Sequence, residues 1–310
     1  MFNKHRKGIR ILSAALAATM LLCFGACSSE TSDAPQNSGP ETHYDIPAFL
    51  DVEYDEGRAY RGQGVIIDAS HSRDGYIAVS CVRDKRLKFQ VMLGDDTYTY
   101  NVSNEGEVTF FPLQCGDGTY TFRVMKNTTE NRYAELYKVN HRVTLSSEFR
   151  PFLRTSRYAA YTRDSRCVAK ARELAESSAD ANDFIANVFK FITKNIKYDK
   201  PKAENIQSGY LPVPDETMST GKGICFDYAS LAAAMLRSQG IPTKVIFGYV
   251  SPNDVYHAWN MIYTEESGWI TVEISVDEAT WNRFDLTFSA NGSSNKFIGN
   301  GENYSDVYQY

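Results

Sequence analysis

The chain has 310 residues, enough for one large domain or two ordinary ones with separate cores. Its net charge of −5 argues against a nucleic-acid-binding protein, which needs a basic face. With 20 tyrosines, 17 phenylalanines and 43% hydrophobic residues, it is not a disordered chain either.

Residues 1–26 carry four Lys or Arg and no acid, and the apolar run ILSAALAATMLLCFGA follows the basic start. That is the charge-then-apolar order of a secretory signal peptide. The run ends in Phe24-Gly25-Ala26-Cys27. These residues resemble the lipobox of bacterial lipoproteins, with Phe24 where leucine is usual. The resemblance implies lipidation of Cys27 and a protein exported and lipid-anchored to the outer face of the bacterial cell membrane. The other reading is an ordinary cleaved signal or an uncleaved anchor. Removing residues 1–26 takes away four positive charges and moves the net charge from −5 to −9. Residues 27–45 hold SSETSDAPQNSGPET, which has too little apolar surface to offset the entropy of ordering and reads as a flexible tether.

Residues 46–155 read as an all-β domain. RLKFQVML alternates Leu87, Phe89 and Val91 with polar neighbours, and GTYTFRVM alternates Tyr120, Phe122 and Val124. Turn signals such as RDGY, LGDD and CGDG separate the runs, giving an antiparallel sandwich of immunoglobulin-like size. No convergent polar cluster stands out here, so this half reads as a spacer or a surface that binds a partner.

From about residue 156 the period becomes helical. One helix is expected over 165–177, with Cys167, Ala171 and Leu174 on one face. A second is expected over 181–197 after Asp180, aligning Ile185, Val188, Phe189 and Ile192. Residues 199–224 read as a long loop with Pro201, Pro212, Pro214, Gly221 and Gly223. A third helix opens at Cys225 and is stopped by Gly240 and Pro242. The strand-like runs TKVIFGYV, HAWNMIY and WITVEISV follow, so 156–310 is expected to be an α+β domain with helices packed on an antiparallel sheet.

Four cysteines lie beyond the lipobox: Cys81, Cys115, Cys167 and Cys225. Outside the cytoplasm they are free to pair, while the inward positions of Cys81 and Cys167 equally suit buried thiols. There is no CxxC and no histidine pair, so no metal or other cofactor is called for.

In GKGICFDYASL, residues 221–231, Cys225 occupies the first turn of a helix, where the positive helix end favours thiolate. Gly221 and Gly223 are expected to let a substrate approach the backbone closely. A thiolate nucleophile needs a histidine to protonate the leaving group, and past residue 141 the chain has only His257. A carboxylate must in turn orient that histidine. With TEESG as a hairpin loop, Ser275 lies opposite His257, and Glu273 and Asp277 lie on its diagonals.

The glycine-flanked cysteine opening a helix, HAWN, and an acid four residues after Trp269 together resemble the transglutaminase-like superfamily, a papain-like thiol fold. The resemblance covers roughly residues 160–285. It implies Cys225 as nucleophile, His257 as proton shuttle and Glu273 as orienting acid, with Asp277 the fallback. Glu273 stands where the family usually has aspartate. Asp227 also matches the family pattern and reads as structural, its carboxylate close to the helix N-terminus. Trp259 reads as a wall of the histidine pocket. An oxyanion hole would use the Cys225 backbone N–H and a donor from the preceding loop, Tyr210 or Gln207. The implied activity is attack on a protein or peptide amide through an acyl-thioester. Hydrolysis (protease, peptidase or deamidase) is slightly favoured over amine transfer. The alternative is a catalytically idle binding module, which Glu273 favours and the intact Cys225 and His257 oppose.

Overall fold

A computed structural model describes residues 43–250, 255–272 and 304–310. Its first half contains β1 (Tyr60–Gly62), β2 (Val65–Asp68), β3 (Tyr76–Cys81), β4 (Leu87–Leu93), β5 (Asp96–Val102), β6 (Thr109–Pro112), β7 (Gly118–Asn127) and β8 (Tyr133–Val143). They form two four-stranded antiparallel sheets in the orders β1-β2-β3-β6 and β5-β4-β7-β8. The alternation read from the sequence points inward as expected: Leu87, Phe89, Val91, Tyr120, Phe122 and Val124 are all buried. Phe89 of one sheet meets Phe111 of the other at 4.8 Å, which joins the two inner faces into one core. Tyr120 Oη donates to the Gly116 carbonyl at 2.8 Å and so pins the turn that feeds β7.

The second half runs α1 (Arg166–Glu176), α2 (Ala181–Asn195), β9 (Lys197–Tyr198), α3 (Lys200–Asn205), α4 (Pro214–Thr220), β10 (Lys222–Gly223) and α5 (Cys225–Ser238). The sheet strands β11 (Thr243–Val250), β12 (Val255–Thr264), β13 (Gly268–Val272) and β14 (Tyr304–Gln309) complete it. Helices α1, α2 and α5 stand within one residue or two of their expected bounds. The expected long loop over 199–224 is corrected: it carries α3, α4 and β10. Pro201 and Pro214 sit in the first turns of α3 and α4, where a fixed φ and a missing N–H cost nothing.

The sheet order is β13-β12-β11-β14, all antiparallel. Met261 pairs with Thr271 and Ile262 with Ile270, the register that the TEESG hairpin reading assumed, as far as Val272. Strand β14 was not foreseen; it returns along β11 and closes the sheet on that side.

Helix α5 is the axis of this half, buried from Asp227 to Ser238. Tyr228, Leu231 and Met235 pack with α1 and α2, whereas Ala229 and Ala233 face Val245 and Ala258 of the sheet. Those sheet residues belong to the same core as the β-half, and Tyr310 meets Tyr100 at 5.4 Å and Tyr158 at 4.5 Å. Arg237, only 2% exposed, fastens this junction. Its guanidinium donates to the carbonyls of Thr243, Arg154 and Tyr310 and to the Ser156 hydroxyl. Burial brings Arg237 down to about 10, still charged at neutral pH.

Cys81, Cys115, Cys167 and Cys225 are all free thiols. Burial pushes up the first three, Cys115 to about 12. None of the described helices is long and apolar enough to cross a membrane.

Candidate active site

Three local devices fix Cys225 at the first position of α5. First, β10 and β9 pair in parallel, Lys197 N–H donating to the Gly221 carbonyl and Asp199 N–H to the Gly223 carbonyl, both at 2.9 Å. Second, Tyr228 Oη donates to the Ile196 carbonyl at 2.9 Å and ties the first turn of α5 to the same strand. Third, the Asp227 carboxylate accepts the Ile224 N–H at 2.8 Å. Ile224 has no side-chain acceptor, so only the returning half of a capping box forms.

Asp227 is wholly buried and also accepts from Lys202 Nζ at 2.7 Å and Tyr210 Oη at 2.5 Å. Burial pulls the Lys202 ammonium down, but its bonds to Asp227 and Tyr210 outweigh this and hold it above its ordinary value. Burial, then the bond to Asp227, pushes the Tyr210 phenol up to about 12. Lys202 was not singled out from the sequence; a lysine inside a polar loop carries no local signal of burial.

Both glycines have a role in the fold itself. Gly221, at φ +63°, is the left-handed cap that ends α4. A Cβ on Gly223 would lie 2.6 Å from the Asp227 Cβ, so that position is kept bare for the carboxylate.

His257 is half-buried on β12, opposite Gly248 of β11. Asn260, three residues on, donates from Nδ2 to the Ala229 carbonyl of α5 at 3.0 Å. Cys225 lies one helical turn before Ala229. Burial raises the phenols of Tyr198 and Tyr256. Cys225 packs against the core that holds Ala229, Val245 and Ala258. Trp259 is 1% exposed.

Of the remaining expected site residues, Tyr210 commits its hydroxyl proton to Asp227, and Gln207 Nε2 donates to the Asn205 carbonyl at 3.1 Å on an exposed loop. Glu273, Asp277 and Cys27 lie outside the described residues. Among the described residues, no group of three His, Cys, Asp or Glu is gathered that could hold a metal ion.

Residues 168–274, a span that includes Cys225, His257 and Glu273, match the family model of the transglutaminase-like superfamily. Residues 168–274 therefore form a transglutaminase-like domain. A protein-glutamine gamma-glutamyltransferase of Pseudomonas aeruginosa is 31% identical over 122 residues, 35% of this chain and 18% of that protein. A UPF0252 protein of Methanocaldococcus jannaschii is 40% identical over 67 residues, 20% of this chain and 19% of that one. The chain thus spans about a fifth of the length of these curated relatives. A crystal structure of a candidate cysteine protease of Cytophaga hutchinsonii aligns with 67% of this chain and 70% of its own, at 15% identity and a TM-score of 0.34.

Proposed function

We propose that the protein is a thiol enzyme acting on protein or peptide amides, with Cys225 as nucleophile. The observation that carries this reading is the placement of Cys225. It heads a buried helix, held from three sides and packed on β12, the strand that bears the one histidine past residue 141. Unpaired N–H groups of the first helical turn offer the Cys225 N–H to an oxyanion. Attack on the amide carbon forms the C–S bond, and His257 passes its proton to the departing amine. Water then cleaves the thioester and leaves a carboxylic acid and the free thiol; an amine in its place would give transfer. Hydrolysis is the favoured outcome.

Ala258 and Asn260 face α5, so strand alternation puts His257 on the other pleat. Glu273 is the acid proposed to orient the imidazole when it pairs with Cys225.

The strand order of the β-half and the Tyr120 corner support an immunoglobulin-like sandwich. We further propose anchoring to the outer face of the cell membrane through a lipid on Cys27, on the strength of the basic, apolar and FGAC sequence alone.

The test is the rate of Cys225 alkylation at neutral pH. We expect it to exceed that of a free cysteine and to fall in His257→Ala. A rate like that of a free cysteine, unchanged by His257→Ala, would refute the enzyme and favour an idle binding module.

A further inference from the structure

A cavity of about 250 Å³ opens at Phe226, between the β-half and the transglutaminase-like half. Its walls include Phe226, the residue after Cys225, together with Phe247, Tyr256 and Tyr308 of the sheet. Pairing of Phe247 with Ala258, Tyr249 with Tyr256 and Phe247 with Tyr308 puts these rings on the face that α5 covers. The opposite wall is strands β4 and β5, contributing Lys88, Thr99 and Asn101. Gly209, at φ +89°, lets the loop after α3 lie so close to Asn101 that a Cβ would come within 2.9 Å of its amide nitrogen.

The charge on these walls has one sign. Lys88 and Arg157 line the cavity, and no carboxylate does among the described residues. Arg157 enters no ion pair with a described carboxylate, and its buried Nε–H meets no hydrogen-bond acceptor there. Glu107, which Arg157 senses electrostatically, is exposed and outside the lining. Lys88 rests its ammonium over the Tyr133 ring at 4.9 Å. A carboxylate is the ligand that a guanidinium fork and an ammonium on the same walls best fit. The volume is below the ~300–1,000 Å³ of pockets that take whole small molecules, and suits one side chain.

We propose that this cavity is a specificity subsite for an acidic residue of the peptide substrate, adjacent to the amide that Cys225 attacks. Lys88 and Arg157 receive the carboxylate, and the aromatic walls receive its methylenes. The β-half is then part of the substrate site. The proposal rests on the peptide-amide reading of Cys225, but binding tests it without chemistry. Nor does overall charge account for it, since a chain of net charge −5 repels an acidic peptide at long range.

The experiment measures equilibrium binding of two fluorescent glutamine-containing peptides, one with Glu beside the glutamine and one with Gln there, to the Cys225→Ala protein. We expect the acidic peptide to bind about tenfold tighter, a preference that shrinks with added salt. In Arg157→Gln, and separately in Lys88→Glu, the ratio of the two affinities should fall toward one. Because each ratio is taken within one folded protein, a variant that is merely less stable does not mimic this result. Equal affinities in the Cys225→Ala protein, or a ratio that survives both substitutions, would overturn the proposal. A lost enzyme reading shows up elsewhere, in the alkylation rate of Cys225, and leaves the affinity ratio untouched.

Discussion

Asp227 sits where three demands meet: it caps the Ile224 N–H, neutralises Lys202 and accepts the Tyr210 proton. Its position two residues after Cys225 made the capping role legible in the sequence, since an acid in the first helical turn has an obvious electrostatic partner. Its dependence on Lys202 and Tyr210 was not legible, because both arrive from a segment that looked structureless. Glycine carried a similar ambiguity: Gly223 is needed because of Asp227, four residues away, a partner that no local pattern announces. Asp227→Asn keeps the shape but leaves the Lys202 ammonium without its counter-ion. Removing one partner of a buried pair costs about 3–5 kcal/mol; with Lys202 still 29% exposed, we expect about 2 kcal/mol from denaturant unfolding. The same variant should alkylate at Cys225 with an altered rate, since the cap of α5 loses its negative charge.

Helix α1 has no side-chain cap from its own flank, and Asp215 of α4 supplies one from across the structure. Its carboxylate accepts the N–H groups of Arg166 and Cys167, both at 2.8 Å. Burial works against the ionised carboxyl, but those bonds outweigh it and hold Asp215 below the usual carboxylate range. A lowered folded pKa means that this stabilisation is complete above the unfolded value of about 3.9 and is lost as pH falls through the folded one. Thermal unfolding should therefore show a gap in Tm between wild type and Asp215→Asn that is widest near pH 6 and narrows toward pH 3. A gap independent of pH would mean that Asp215 acts through packing alone. At this scale the sequence spoke unevenly. Helices of eleven to fifteen residues with an apolar stripe, and strands with strict alternation, declare themselves through their period. The six- and seven-residue helices α3 and α4 are too short to show one, and their prolines read as loop. Strand β14 pairs with a strand more than fifty residues earlier, and no local pattern announces that partner.

In the whole molecule, one compact unit spans Glu41–Tyr310, and its core passes from the β-half through Ala229, Val245, Ala258 and Tyr310 into the second half. Arg237 closes that passage with four hydrogen bonds from a buried guanidinium. Arg237→Met would leave its acceptors dry at a total cost of about 3–5 kcal/mol. We expect both wild type and variant to unfold in one transition, the variant at lower temperature, with far- and near-ultraviolet circular dichroism coinciding. Two separated transitions would show that the halves are energetically independent. The three protonated thiols of Cys81, Cys115 and Cys167 give this shared core a chemical consequence. Cys81 and Cys167 are buried, so each equivalent of a thiol reagent that they consume marks a moment when the interior has opened, and the core keeps its own clock.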